Sequence, residues 1–438
     1  MCKHIFIGMI FIAALGSSPL RAQDSTQTKQ PQKWSLKECL DYARQNNITL
    51  NTLRLTSASN EQSLIQSKAA KTPNLSGSVS KSLSHYQSGG GLSAGSSYGV
   101  SSSVTLYNGN YLNNDIKEKQ LSLQIAKLNI LSSENDITLQ ITQAYLNILL
   151  AKENIVYLQD VLTTIHAQVE QGQQRLKAGT IAQKDLLELQ ATEATDKYNL
   201  VSAQNTQRQY LINLKQILQL PFDSSFDVVY TSVSNESLVI TPLGDAQRTA
   251  LQNRPEVKSS ALSVDIEQIG IEKAKAGLRP TVSLGGSVNT SYAKGSGSTY
   301  FPQLGDNFYQ QLGVTLSIPF LDKKVTKTNV EKAKIATAQA KLSLQNTKTT
   351  LSQSVEQAYI NVLNAESQFT AAKEQLKYTQ ESYRIAGEQL RIGTYNTVEF
   401  LQQKNLYVQA LQTYVQSKYS TVLYNKIYNF YIGIPVTQ

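Results

Sequence analysis

Cysteine, methionine, histidine and tryptophan are nearly missing from this chain. Its 438 residues include two cysteines, two methionines, three histidines and one tryptophan. Cys2 and Cys39 are too few and too badly placed for a disulfide framework. No cysteine follows the N-terminal apolar run, so the usual lipoprotein attachment point is missing. His85 sits in a Ser/Gly-rich stretch, and His166 lies in a helical pattern with no second ligand at metal spacing. Both read as surface or packing residues. No GxGxxG, P-loop, HExxH or GxSxG nucleophile elbow occurs. The chain therefore reads as a non-enzyme with no cofactor and no metal site. Scarce Met and His also weigh against a dedicated soft-metal exporter.

The N-terminus carries what the interior lacks. Lys3 supplies a short basic head, Ile5 to Leu15 an apolar run, and Leu20-Arg21-Ala22 a small residue at a cleavage position. This is the plan of a secretory signal peptide over residues 1–22. Its apolar run is too short to span a bilayer, which takes about 20 residues. Removing it takes Lys3 and Arg21 from a net charge of +9 and leaves +7. The lysines are scattered among Gln, Ser and Thr with no basic stripe carrying aromatics, which excludes nucleic acid as a partner.

Proline is absent between Pro73 and Pro221 and again between Pro319 and Pro435, and these two gaps mark two copies of one unit. Gln143-Ala144-Tyr145-Leu146-Asn147 lies over Gln357-Ala358-Tyr359-Ile360-Asn361 at an offset of 214. The offset holds to Leu176-Lys177-Ala178-Gly179-Thr180 over Leu390-Arg391-Ile392-Gly393-Thr394, and on to Pro221 over Pro435. At the front the offset is 207, with Leu36, Ala43, Asn46 and Pro73 over Leu243, Ala250, Asn253 and Pro280. Residues 23–221 and 242–438 are each expected to run helix, hairpin, very long helix, tip and returning helix. Residues 222–241 link them.

Two periodicities divide the labour. Ile137, Ile141, Ala144, Ile148, Ala151, Ile155, Leu158, Leu162, Ile165 and Val169 step by 4 and 3, a heptad seam of supercoiled helices. Leu351, Val355, Ala358, Val362, Ala365, Phe369, Ala372 and Leu376 repeat it. In the hairpins the period is 2. Leu75, Gly77, Val79, Lys81 and Leu83 alternate with serines, and Tyr98, Val100, Val104 and Leu106 with Gly99, Ser101, Ser103 and Thr105. Val282, Leu284 and Val288, then Leu312, Val314, Leu316 and Ile318, do the same. Four strands of about ten residues, apolar on one face and small-polar on the other, fit a transmembrane barrel with a wet lumen. An exported coiled-coil scaffold without a pore is the competing reading, and it has no use for lipid-facing rows.

Four strands leave two open edges, which hydrocarbon does not tolerate, and closure takes about eight strands. A ring of two, three or four subunits satisfies this. The motif Trp34-Ser35-Leu36-Lys37-Glu38-Cys39-Leu40-Asp41-Tyr42-Ala43 with Asn46-Asn47, the strand starts after Pro73 and Pro280, and the paired Gly-Thr tips resemble the TolC family of outer membrane efflux and secretion channels. The resemblance covers essentially the whole mature chain. It implies a mainly α fold with β: a long coiled-coil helical barrel continuous with a β-barrel of four strands per chain, closed as a homotrimer. It also implies residence in the outer membrane of a Gram-negative bacterium, among its lipids. A periplasmic adaptor and an inner-membrane transporter of RND or ABC type would complete the pathway, so that the channel conducts without making bonds.

The tips carry the site residues. Gly179 and Gly393 end long helical runs, where a left-handed cap excludes a side chain. The resemblance implies that Gly179, Thr180, Gly393 and Thr394 meet the adaptor. Asp185 and Glu399 follow six residues after each glycine, where they suit a helix N-terminus and where family members line a closed periplasmic entrance. Tyr395 stands where an arginine ties that entrance shut, and Gln402 where a second acidic ring lies, so the gate here is expected to rest on Asp185, Tyr395 and Glu399.

Overall fold

The computed structural model describes residues 32–86, 91–221, 224–230, 240–295 and 298–434. The leader over residues 1–22, parts of the 222–241 connection and Pro435 lie outside them. Strand β1 (Gln32–Trp34) leads into helices α1 (Leu36–Asn46) and α2 (Ile48–Ala69), then strands β2 (Asn74–Tyr86) and β3 (Gly91–Asn108). Helix α3 (Tyr111–Lys177) runs to the first tip and α4 (Gln183–Leu218) returns. Strand β4 (Phe226–Val228) pairs in parallel with β1. The chain continues through α5 (Leu243–Asn253), α6 (Pro255–Lys275), β5 (Thr281–Ala293), α7 (Tyr300–Asp306), β6 (Tyr309–Ser317), α8 (Val325–Arg391) and α9 (Thr397–Tyr431).

Helices α3 and α8 both hold 67 residues and start 214 positions apart, at Tyr111 and Val325. At 1.5 Å per residue each is about 100 Å long. Local signals set the shorter pieces. Ser35 and Glu38 form a reciprocal capping box at the start of α1, with Ser35 N–H donating to Glu38 Oε2 at 2.7 Å. Each front helix then breaks once. Asn47 Oδ1 accepts from Leu50 N–H at 3.2 Å and restarts the chain as α2, while Pro255 holds the first position of α6.

The core consists of matching clusters where each short front helix meets the middle of a long one. In the first, Cys39 and Ala43 of α1 pack on Ile141, Ala144 and Ile148 of α3 and Leu214 of α4. In the second, Ala246 and Ala250 of α5 pack on Val355, Ala358 and Val362 of α8 and Tyr428 of α9. Small alanine seats let the helix axes approach, and larger neighbours fill the remaining space. The seam is wider than a two-helix heptad, since Tyr145, Leu149 and Val161 are buried beside it. Helix α3 meets several helices and β4 at once. Strand β4 is held by Tyr145 Oη donating to Val229 O at 2.9 Å and Lys152 Nζ to Val228 O at 2.7 Å.

Strands β2, β3, β5 and β6 form one antiparallel sheet in that order. Three features go beyond the expected ten-residue hairpins. The strands hold 13, 18, 13 and 9 residues. A bulge between Thr105 and Tyr107 brings Tyr107 opposite Val282. The second hairpin contains a short helix, α7, before β6 begins.

Candidate functional site

Side-chain parity in the sheet follows from its register. Val79 pairs with Tyr98 and Tyr98 with Thr290, while Val100 pairs with Val288, Val104 with Leu284, and Leu284 with Val314. Leu75, Val79, Val100, Val104, Leu284, Val288, Leu312, Val314 and Leu316 therefore share one face. Lys81, Ser102, Gly286 and Gln310 interrupt it. The opposite face is small and polar: Ser76 opposes Ser101, Ser101 opposes Ser287, and Ser283 opposes Thr315. Among the described residues the aliphatic rows stay uncovered, with Leu75 77% and Val314 65% exposed. Strands β2 and β6 keep free edges. No described helix is long and apolar enough to cross a membrane.

At the other end of the molecule both long helices close in the same turn. Gly179 has φ +73° and Gly393 has φ +81°. In the first turn Gly179 N–H donates to Leu176 O and Thr180 N–H to Arg175 O, both at 2.9 Å. In the second, Gly393 N–H donates to Leu390 O at 3.2 Å and Thr394 N–H to Gln389 O at 3.0 Å. These are Schellman caps, and a Cβ at either glycine would add left-handed strain of about 1–2 kcal/mol. Thr180 and Thr394 are exposed at the extreme end.

Asp185 and Glu399 both fall in the first turn of a returning helix. Asp185 Oδ2 accepts from Ala182 N–H at 3.3 Å, and Glu399 N–H donates to the Asn396 cap at 2.8 Å. Each carboxylate complements the positive end of a helix. Asp185 and Tyr395 are half-buried, whereas Glu399 and Gln402 are exposed and share one strip of α9. Among the described residues the Tyr395 hydroxyl has no hydrogen-bond partner within the chain. The structure brings Gly393, Thr394, Tyr395 and Glu399 together in one turn, and Gly179, Thr180 and Asp185 in the other.

Sequence reasoning missed what joins the two turns. Arg175 Nη1 donates to Leu390 O at 3.1 Å, so the last turn of α3 is tied to a carbonyl in the last turn of α8 that also accepts from Gly393 N–H. Farther from the tips, Lys404 of α9 is buried against Asp196 of α4 as an ion pair. Beside it Tyr383 stacks on Tyr407, with centroids 5.2 Å apart and planes 8° apart, and burial pushes the Tyr383 hydroxyl up to about 12. These tyrosines line an open groove of about 710 Å³ that also reaches Asp160, Lys377 and Lys404. A lysine in a polar helix reads as solvated, so only the fold exposes this role.

Comparison with known proteins places these features. A family model described as outer membrane efflux protein matches residues 39–219 and 247–423. Toxin and drug export protein A of Aggregatibacter actinomycetemcomitans is 23% identical over 71% of this chain and 65% of its own length. The outer membrane protein TolC of Escherichia coli is 23% identical over 67% of this chain and 60% of its own. The chain thus spans less than two thirds of the length of these two relatives. Among solved structures, the Campylobacter jejuni CmeC outer membrane channel superposes with a TM-score of 0.80 at 16% identity. That likeness covers 97% of this chain and 94% of the other.

Proposed function

The chain belongs to the outer membrane efflux protein family, and from that premise we propose that it is one subunit of a passive duct through the outer membrane. Residues 23–221 and 242–438 are its two copies, joined by 222–241. Three subunits close a 12-stranded barrel, and their helices continue it as a periplasmic tunnel. The observation that carries this reading is the sheet: an aliphatic face left uncovered, a small-polar face opposite, and two unpaired edges. Uncovered aliphatic rows suit lipid, and strand edges in lipid must pair with another copy, so the two together fit a closed, lipid-embedded barrel. An exported scaffold without a pore leaves both unexplained.

The duct makes and breaks no bond. Energy and substrate choice come from an inner-membrane transporter, linked through a periplasmic adaptor that meets the Gly179-Thr180 and Gly393-Thr394 turns. Asp185, Tyr395 and Glu399 line the entrance. Three copies of each acid would attract cations and disfavour anions. The exposure of Glu399 and the matched first-turn positions of the two acids support this, and helix capping accounts for part of their placement.

Purified protein in planar bilayers tests the duct. Discrete conductance steps are expected, with chemical crosslinking that stops at a trimer. A membrane-free fractionation that leaves the protein soluble in the periplasm would sink the reading. For the entrance, replacing both Asp185 and Glu399 with Ala lowers cation preference; unchanged ion selectivity removes them from that role. Cysteines at Thr180 or Thr394 that never capture an adaptor in cells would dismiss the tips as its contact.

A further inference from the structure

Lys81 is the one charge in the aliphatic row of β2, and its position in the register gives it a job. It pairs with Ser96, and Ser96 pairs with Tyr292, so the three share a row on the aliphatic side of the sheet. The next row inward is Val79, Tyr98 and Thr290. Val282, opposite Tyr107 and Leu316, starts the aliphatic band at the helical end. Ten residues separate Val282 from Tyr292, about 34 Å along a strand, or roughly 26 Å of height at a 40° tilt. An apolar barrel band is about 25 Å tall. The Lys81 row therefore falls where hydrocarbon ends and headgroups begin.

Helix α7 is folded down onto this row, on the same side of the sheet. Tyr300 Oη lies 2.6 Å from Tyr98 Oη, and the Tyr300 ring sits 4.8 Å from that of Tyr292. Thr290 Oγ1 donates to Leu304 O at 2.5 Å. Gln303, buried, accepts from Ala293 N–H at 3.0 Å and donates to Ser298 O at 2.7 Å, locking the helix to the strand. Ser96 is buried beneath it. Phe301 packs edge-on to Tyr300 yet remains 80% exposed, pointing away from the protein. Among the described residues Lys81 makes no ion pair. A cation without a partner, a tyrosine cluster and an outward phenylalanine thus meet at one height. Tyrosine is favoured where one end of the ring is apolar and the other wet, and lysine snorkels its ammonium past apolar surface.

We infer that Lys81, Tyr98, Tyr292, Tyr300 and Phe301 form a binding site for a phosphate-bearing lipid headgroup of the outer leaflet, with α7 lying in the membrane interface. The inference rests on the sheet being membrane-embedded, as proposed above. The aliphatic face, with only small or uncharged residues interrupting it below Lys81, leads into this belt. Its charge complements an anionic headgroup, and Phe301, 80% exposed among the described residues, offers its ring to acyl chain. Leu83, one row beyond, meets the same lipid higher up.

The test uses the full-length protein in phosphatidylcholine vesicles, with and without a diphosphorylated glycolipid, and each variant is first checked for conductance in planar bilayers. Loss of conductance and insertion in the parent protein overturns the membrane reading itself. With conductance intact, Lys81→Ala should retain glycolipid about fivefold more weakly in native mass spectrometry, the worth of one lysine at an anionic surface. Lys81→Arg should retain it fully, and inorganic phosphate should not displace it. Phe301→Trp adds a fluorophore, read as a difference from the parent, and lipids brominated near the glycerol should quench it more than lipids brominated at the chain end. Unchanged retention in Lys81→Ala, displacement by free phosphate, or quenching only by an aqueous quencher would each overturn the inference.

Discussion

The Lys404–Asp196 pair joins the two returning helices, and replacing Lys404 with Met should loosen both. The side chains are 2% and 10% exposed, so neither charge keeps its water. Two unit charges about 4 Å apart attract by about 4 kcal/mol at an effective dielectric of 20, and burying them costs several kcal/mol per ion. The intact pair is therefore close to neutral in net stability, while a lone Asp196 is not. Removing one partner of such a pair costs about 3–5 kcal/mol. Hydrogen–deuterium exchange on the purified protein reads this locally. Amides of α4 and α9 around the pair should exchange roughly two to three orders of magnitude faster in Lys404→Met, each tenfold being about 1.4 kcal/mol. Strand β5 should not change. The double variant Asp196→Leu with Lys404→Met should recover parental protection, because no charge then remains buried. If Lys404→Met exchanges like the parent, the pair is not a buried contact in solution. If the double variant is as open as the single one, lost packing and not an orphaned charge is the cause, and the reasoning fails.

The remaining predictions probe other levels of the structure. His166 Nδ1 lies 2.6 Å from Glu193 Oε1 across α3 and α4, and that hydrogen bond and charge raise its pKa above 6.5, with Glu170 adding to the shift. A raised histidine stabilises the folded state fully below its unfolded pKa and loses that contribution as pH rises through the folded value. Protection factors in the α3–α4 pair, corrected for the intrinsic pH dependence of amide exchange, should therefore be higher at mildly acidic than at alkaline pH, and His166→Gln should abolish the difference. Lys323 and Lys324 sit at φ +52° and +68°, where the first copy has Gly109 at +66° and Asn110 at +69°. Lys323→Gly should stabilise the start of α8 by about 1 kcal/mol in chemical denaturation. Val314→Arg on the aliphatic face should cost about 2–4 kcal/mol and block recovery of assembled protein from membranes. Ser283→Arg, one strand away on the opposite face, should assemble normally and lower conductance.

Much of the wall was legible because each element carries one period. In α3, Ile141, Ala144, Ile148, Ala151, Leu158, Ile165 and Val169 are buried, and only Ile137, Ile155 and Leu162 of that seam remain half-buried. The strand rows follow the alternation, except at Leu106, where a bulge defeats a parity argument. The breaks in the front helices do carry local signals, the Asn47 cap and Pro255 at a first helical position, which a repeat offset alone does not show. Other features left none. Helix α7 arises in a stretch rich in Gly, Ser and aromatics, and it is held by long-range bonds from Thr290 and Ala293. The pairing of β1 with β4 depends on three-residue segments almost 200 positions apart. The burial of Lys404 requires a partner 208 residues away. Patterns report which face turns inward, and only the folded chain reports what waits there.

The strand count itself constrains how copies add. Strands β2 and β5 run away from the helices, while β3 and β6 run back toward them. The two free edges are therefore opposite in direction. Placing β2 of one copy beside β6 of the next makes another antiparallel pair, so rotation about an axis extends the meander without a parallel joint. An odd number of strands per chain would force one parallel joint at every subunit boundary. The contact is heterologous, β6 against β2, and such contacts close into rings when the rotation permits. The same step carries each aliphatic row onto the next and keeps every serine row on the other face. Strand β6 holds 9 residues and β2 holds 13, so such a joint would leave at least four residues of β2 without a partner on β6. Lys81 lies seven residues after Asn74, in the half of β2 farther from the helices.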